Sequence, residues 1–415
     1  MNATYTIEEI EHNGDKRSYL LTVGGKPYQV GELFYLILQG KSDKKTNEEI
    51  VDSLNKWASG SYRFTISELE QIIEHKIKPL GVWNPPAVNT TSLAGIGNIR
   101  WQKTVFTFEQ MRWLLAIVKY AFVPAFFFPV LILALGANYY YMNELIGMGS
   151  YAAHKAAVSS DCLRGFSYVV LFYPLITFIL FAHELGHAAA SYLFGVKPKN
   201  IGFGIYYIFP VLFTDVTGIW KLNKTKRVIV NLGGIFIQAI INLGLIYWTY
   251  HSGTNPEIIA MITFLLKINV ATMIINGLPF MKFDGYWVYS DLFTLPNLRQ
   301  QSNIYLVRFL NRFFPKLPIR IPEKVLQMVD LKNPFLIIYS IGRYIFMVYF
   351  YGKIIVFFFN TISMMPLAAR NLINDFSICS AEPFLQASFS LGLFVYFTTV
   401  NTKTYRSYFK NRRNA

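Results

Sequence analysis

Up to about residue 100 the chain mixes apolar and polar residues over short distances, and beyond Trp113 it changes into long apolar runs separated by polar, mostly basic segments. Six runs, near 113–141, 166–194, 227–250, 257–280, 335–361 and 383–400, have the length of roughly 20 helical residues needed to cross a hydrocarbon core of about 30 Å. The pattern predicts a mainly α polytopic membrane protein of about six transmembrane helices, preceded by a small N-terminal α+β domain.

Within that domain, Tyr19 to Thr22 and Lys26 to Val30 flank Gly24-Gly25, a hairpin signal. Helical patterns follow over about 46–58 and 67–77. Thr46 and Glu49 have capping-box spacing before the first, and Ser67 is the expected cap of the second. A hairpin with helices of this kind predicts a winged-helix-like fold. The expected partition is a cytosolic domain over 1–95, a linker over 96–112, a membrane core over 113–300, and a region over 301–415 with a cytosolic loop, two further spans and a basic tail.

Composition supports the membrane reading. Hydrophobic residues make up 53% and charged residues 15%, where a soluble domain carries about 25% charge. The net charge of +15 raises nucleic acid as a partner, but the basic residues collect between the apolar runs, as with Lys221, Lys224, Lys226 and Arg227, or Arg299, Arg308 and Arg312. That is the positive-inside pattern of a multi-pass protein in a lipid bilayer, and strict alternation puts both termini in the cytosol. No basic patch with interleaved aromatics marks the soluble part, so nucleic acid is excluded as a partner. The first twenty residues are polar and acidic, so no cleavable signal peptide is expected. Cys162 and Cys379 fall in two outward loops, where a disulfide is permitted. Two unrelated buried thiols are the favoured reading.

The second run contains Phe181-Ala182-His183-Glu184-Leu185-Gly186-His187. Residues four apart share a helix face, so His183 and His187 can offer ring nitrogens to one zinc ion, with Glu184 beside them as a base. Polar and ionisable side chains inside a membrane helix are costly and usually functional. Hydrolytic zinc sites use three protein ligands and leave a fourth position for water. Asp284, in Asn276-Gly277-Leu278-Pro279-Phe280-Met281-Lys282-Phe283-Asp284-Gly285, is the expected third ligand, because Gly277 and Pro279 end the fourth span and Gly285 lets the chain turn. Asp215, in Phe213-Thr214-Asp215-Val216-Thr217-Gly218, is the alternative, in a setting that reads as a strand or hairpin at the membrane edge.

The two motifs together, His-Glu-x-x-His in one span and Asn-x-x-Pro-x-x-x-x-Asp-Gly in a later one, resemble the site-2 protease family of intramembrane zinc metalloproteases over about 110–300. Leu278 to Trp287 and Leu295-Pro296-Asn297-Leu298-Arg299 resemble its peptide zinc metalloprotease branch, found in bacterial peptide-biosynthesis clusters. The resemblance implies His183, His187 and Asp284 as zinc ligands, Glu184 as general base and Asn276 as a substrate contact. Two departures stand out. Phe283 replaces the usual Leu, and Asn231-Leu232-Gly233-Gly234 replaces the family's Gly-Pro motif, leaving the packing of the third span open.

The order Tyr19-Leu20-Leu21, Tyr28-Gln29-Val30-Gly31-Glu32, Glu49-Ile50-Val51 and Leu69 to Leu80 resembles the PqqD-like precursor-recognition domains, which hold the leader of a ribosomally made peptide. A generic cytosolic winged helix is the plainer reading. Joined, the two halves imply a zinc-dependent intramembrane endopeptidase that processes a ribosomally synthesised, modified peptide precursor at the cytosolic side of a bacterial cell membrane. Cleavage of a membrane-bound regulator is the alternative, and a non-catalytic immunity or zinc-transport protein is a third reading.

Overall fold

The computed structural model describes residues 5–10, 17–23, 26–58, 62–83, 99–159, 162–206, 209–251, 256–295, 297–313, 333–377, 380–381, 383–385, 387–396 and 398–399. The chain divides into two compact units, one of Met1–Phe122, His187–Gly204 and Val211–Val230, the other of Val123–Gly186, Ile205–Pro210 and Asn231–Ala415.

The first unit opens with an antiparallel sheet of β1 (Tyr5–Glu9), β2 (Ser18–Val23) and β3 (Lys26–Gly31), with β2 in the centre. The register pairs Tyr5 with Val23 on one side of β2 and Val23 with Lys26 on the other. The hairpin expected at Gly24-Gly25 therefore forms, although those two glycines lie outside the described residues. Strand β1 is an addition to the sequence reading; Thr6 and its neighbours are too few and too polar on one face to stand out.

Three helices cover the sheet: α1 (Glu32–Ser42), α2 (Asn47–Trp57) and α3 (Ile66–Ile72). Their core holds Leu21, Ile37, Leu38, Ile50, Leu54 and Leu69, all essentially inaccessible. Nothing in the sequence marks helix α1, because Leu33 to Leu38 is a continuous apolar run with no helical period. It buries Ile37, Leu38 and Gly40, and a Cβ at Gly40 would meet the Ile50 side chain at 2.7 Å. Tertiary packing thus decides the helix. Helix α2 carries the expected capping box between Thr46 and Glu49. In α3 the cap is Thr65, whose side chain accepts from the Glu68 amide while Glu68 reaches back to the Thr65 amide. Ser67 lies inside the helix, and its expected capping role falls to Thr65, which has the capping-box spacing to Glu68.

Residues 99–107, within the stretch expected as a linker, form strand β4 (Ile99–Thr107), which joins β5 (Asn200–Tyr206) and β6 (Phe209–Thr214) in a second sheet of order β4-β5-β6. Helix α4 (Phe108–Val118) follows, capped by Thr107 and Gln110.

Among the described residues, five helices are long and apolar enough to cross a membrane, over Pro124–Met142, Leu171–Leu193, Lys224–His251, Ile258–Gly277 and Pro334–Asn374. They belong to α5 (Pro124–Ser159), α6 (Cys162–Leu193), α7 (Lys224–His251), α8 (Pro256–Gly277) and α11 (Pro334–Ser363). Between them lie α9 (Asp284–Leu292) and α10 (Leu298–Phe313), and α12 (Met365–Asn374) closes the last span. The first span begins at Pro124 rather than 113, because Pro124 lacks an amide proton and disfavours helix at the residue before it. The sixth expected run holds a shorter apolar helix over Pro383–Tyr396. Cys379 lies outside the described residues, and with it both readings of Cys162 and Cys379, the favoured pair of unrelated thiols and the permitted disulfide.

Ile179, Leu245, Ile262, Leu265 and Leu266 make one core between α6, α7 and α8. Tyr286, Leu295, Leu298, Leu336 and Tyr339 make another between α9, α10 and α11. Phe127 of α5 meets Phe236 of α7 at 4.9 Å between ring centroids.

Candidate metal centre

Helix α6 is continuous from Cys162 to Leu193, so 3.6-residue periodicity sets His183 and His187 one above the other. Both rings are buried, at 4% and 7% exposure. Each is held at Nδ1. His183 Nδ1 lies 2.8 Å from Gln238 Oε1, and His187 Nδ1 lies 2.7 Å from the Val230 carbonyl oxygen. A carbonyl can only accept, so these contacts put the ring proton on Nδ1 and leave the Nε2 lone pairs for a metal, the arrangement in which a second ligand atom orients an imidazole.

Asp284 arrives from the other direction. Helix α8 stops at Gly277, Pro279 prevents its continuation, and α9 begins with Asp284 as its first residue. The turn is tight: a Cβ at Gly285 would collide with the carbonyl of Gly277, so only glycine fits. Asp284 Oδ2 lies 3.1 Å from His183 Nε2, with the carboxylate 21% exposed. Ligand atoms of His183, His187 and Asp284 all fall within 4.8 Å of one another.

The donor set fits zinc. Two imidazoles and one carboxylate are a known three-ligand combination for hydrolytic zinc. With the His183 proton on Nδ1, its Nε2 and the Asp284 oxygen are two electron-pair donors face to face, and only a shared cation or a proton makes such a contact favourable. Glu184 follows His183 directly and is half-buried. Asn276 is half-buried, with its Nδ2 3.5 Å from His183 Nε2. The structure thus brings Asn276 to the same imidazole as Asp284. Asp215 is engaged elsewhere. Its Oδ1 accepts from the Thr217 amide and hydroxyl at 3.1 and 2.8 Å, and its Oδ2 pairs with Lys199 at 3.2 Å.

Several residues at this centre carry no local signature. A Cβ at Gly186 would strike the Gly233 backbone, and one at Gly234 would strike the His183 ring. Gly233-Gly234, the departure from the family's Gly-Pro motif, therefore lets the α7 backbone approach α6 closely, as small residues do between membrane helices. Gln238 lies one helical turn beyond Gly234, on the same face. The Gly-Gly pair was visible in the sequence; Gln238 was visible only as a polar residue in an apolar run.

Comparison with known proteins is sparse. No family model matches the chain, and no solved structure matches it. It is similar to a protein of Bacillus subtilis (strain 168) named "Putative peptide zinc metalloprotease protein YydH", with 28% identity over 144 residues, 34% of this chain and 54% of that protein. The match spans about half the length of that relative. The chain is thus a distant, partial relative of a protein named as a peptide zinc metalloprotease, and it has a buried His-His-Asp group that could bind a metal.

Proposed function

We propose that this protein is a membrane-embedded zinc endopeptidase of the site-2 protease type, with His183, His187 and Asp284 as ligands, Glu184 as general base and Asn276 as a substrate contact. The observation that carries the reading is the convergence of two buried imidazoles and a carboxylate from separate helices, beside a glutamate. Zinc, when bound, supplies Lewis-acid activation of water and of the scissile carbonyl. Glu184 takes a proton from the attacking water as its oxygen adds to the carbonyl carbon, and gives it to the leaving amine as the C–N bond breaks. Asn276, whose Nδ2 lies 3.5 Å from His183 Nε2, would turn an N–H toward a peptide carbonyl beside that ring. An extended substrate can add to an outer strand of the β4-β5-β6 sheet, such as β6.

The small sheet-and-helix domain supports a peptide substrate over a membrane protein. An antiparallel sheet with outer strands β1 and β3 is suited to holding a leader by strand addition, as in PqqD-like domains, and a tethered domain raises the local peptide concentration. The reading places the chain in a bacterial cell membrane with both termini cytosolic.

The test uses the full chain in nanodiscs with zinc and the short peptides encoded beside its gene, with products identified by mass spectrometry. Cleavage that is lost in Glu184→Gln supports the reading. Unchanged function in that variant overturns it in favour of a non-catalytic binder. Deleting residues 1–95 abolishes peptide processing under this reading, and spares cleavage if the substrate is a membrane-bound regulator.

A further inference from the structure

Behind His183 runs a buried chain of carboxamides that the hydrolytic chemistry does not use. Gln238 Nε2 donates to Asn269 Oδ1 at 2.8 Å, Asn269 Nδ2 donates to Asn242 Oδ1 at 2.6 Å, and Asn242 Nδ2 donates to Asn138 Oδ1 at 2.7 Å. The four side chains come from α7, α8, α7 and α5, and none is more than 6% exposed. Sequence separations of 27, 31 and 104 residues make the set invisible to any local motif.

A carboxamide can be turned end for end, so the direction of such a chain needs a cause. Asn138 supplies the first: its Nδ2 donates to two backbone carbonyls, Ala134 at 2.7 Å and Ala239 at 3.1 Å. Turned around, its oxygen would face both carbonyls. Asn269 is fixed by its second bond, Nδ2 to the Gln238 backbone carbonyl at 3.3 Å. Gln238 is held at Nε2 by two acceptors together, Asn269 Oδ1 at 2.8 Å and the Thr272 hydroxyl at 3.0 Å, which itself donates to the Asn269 backbone carbonyl at 2.7 Å. Every link therefore points its N–H away from the metal centre and its C=O toward it. At the near end, Gln238 Oε1 faces His183 Nδ1.

We infer that Asn138, Asn242 and Asn269 are positioning residues for the metal centre: through Gln238 they fix the tautomer of His183 with its proton on Nδ1 and its Nε2 open to the ion. The inference rests on His183 being a ligand. If Gln238 turned around, its NH2 would face Nδ1 and select the other tautomer, whose Nε2 carries a proton and cannot ligate. Aligned amides also polarise one another along the chain, which strengthens the bond at its end. The plainer role for such residues is to hold membrane helices together, and that role would act on the protein with or without zinc.

The two roles separate in a cycle on the full chain in nanodiscs, with Zn2+ affinity read by chelator competition and stability read by melting without metal. Asn269→Leu is expected to weaken Zn2+ binding by about 10-fold, the lower end of the 10–100-fold range for residues that orient ligands, and Asn242→Leu, one link further away, by several-fold. In a Gln238→Glu background the facing group is a carboxylate, which accepts from Nδ1 either way round. There both losses should shrink to within about twofold. If Gln238→Glu does not fold, Gln238→Leu serves, since it leaves no carboxamide to orient. Asparagine variants that lower metal-free stability but leave Zn2+ affinity unchanged would overturn the inference. So would losses that persist in the position-238 background. A wild-type protein that binds no zinc would remove the proposed function as well, whereas intact zinc binding with unaffected variants removes only this inference.

Discussion

The contact between α7 and the His183 ring allows a sharp test with one methyl group. A Cβ at Gly234 would stand 2.5 Å from His183 Nδ1 and closer to Cε1 and Nε2, where ordinary contact begins at 3.4 Å. The ring would have to withdraw by about 1 Å, several times the roughly 0.2 Å tolerance of a metal–ligand bond. Local give on the α7 side is small, since Gly233 already touches the Gly186 position on α6. Gly234→Ala should therefore lower zinc affinity by about 10- to 100-fold, the range for disturbing what orients a metal ligand, with hydrolysis falling by about 100-fold, the scale on which a 1 Å misplacement acts. Helix propensity works the other way, because alanine in place of a helical glycine adds up to about 1 kcal/mol of stability. Gly244→Ala is the control: it lies on the same helix with nothing within 4 Å of a Cβ, so it should bind zinc normally and melt no lower than wild type. Zinc content after dialysis against a weak chelator, by mass spectrometry of the metal, gives the answer. Gly234→Ala protein that keeps its zinc and its turnover would refute the packing described between α6 and α7.

Glu184→Gln should retain zinc and fall in turnover by about 100- to 10,000-fold, the range for removing a general base, as read by paired metal and product analysis. Asp284→Ala should lose zinc, and adding excess Zn2+ should raise its melting temperature far less than that of wild type, since a bound ligand stabilises by mass action. The Glu68 carboxyl is held below the ordinary carboxylate range by the Tyr62 hydroxyl first and the Thr65 amide second. A lowered folded value means stabilisation that is present above the unfolded value and lost as pH falls through the folded one. The hydrogen-exchange protection of α3 in wild type over Glu68→Gln should therefore be present at neutral pH and vanish on acidification; a gap that does not change with pH would contradict it.

The sequence displayed the parts of this fold whose pattern is local. His183, Glu184 and His187 are readable because one helix turn carries them, and Thr46 with Glu49 because a cap spans three residues. The Asn276 to Gly285 stretch is readable because proline and glycine mark where a helix must stop. The same proline and glycine signals favour Asp284 over Asp215 in the sequence, and the fold adds that Thr217 and Lys199 engage Asp215. Helix α1 was hidden because an unbroken apolar run has no period. The pattern alone does not mark the start of the first span, because apolar content continues across α4 up to Pro124. The amide chain could not be read at all, since each link joins different helices and asparagine in an apolar run has no preferred partner.

The two imidazoles differ in what secures them. His187 leans on a peptide oxygen at position 230, which every amino acid provides. His183 leans on a side chain at position 238. A drift of residue identity can thus never strip the first ring of its anchor, while a single codon change can release the second. The two rings thus have one anchor that is robust to mutation and one that is exposed to it.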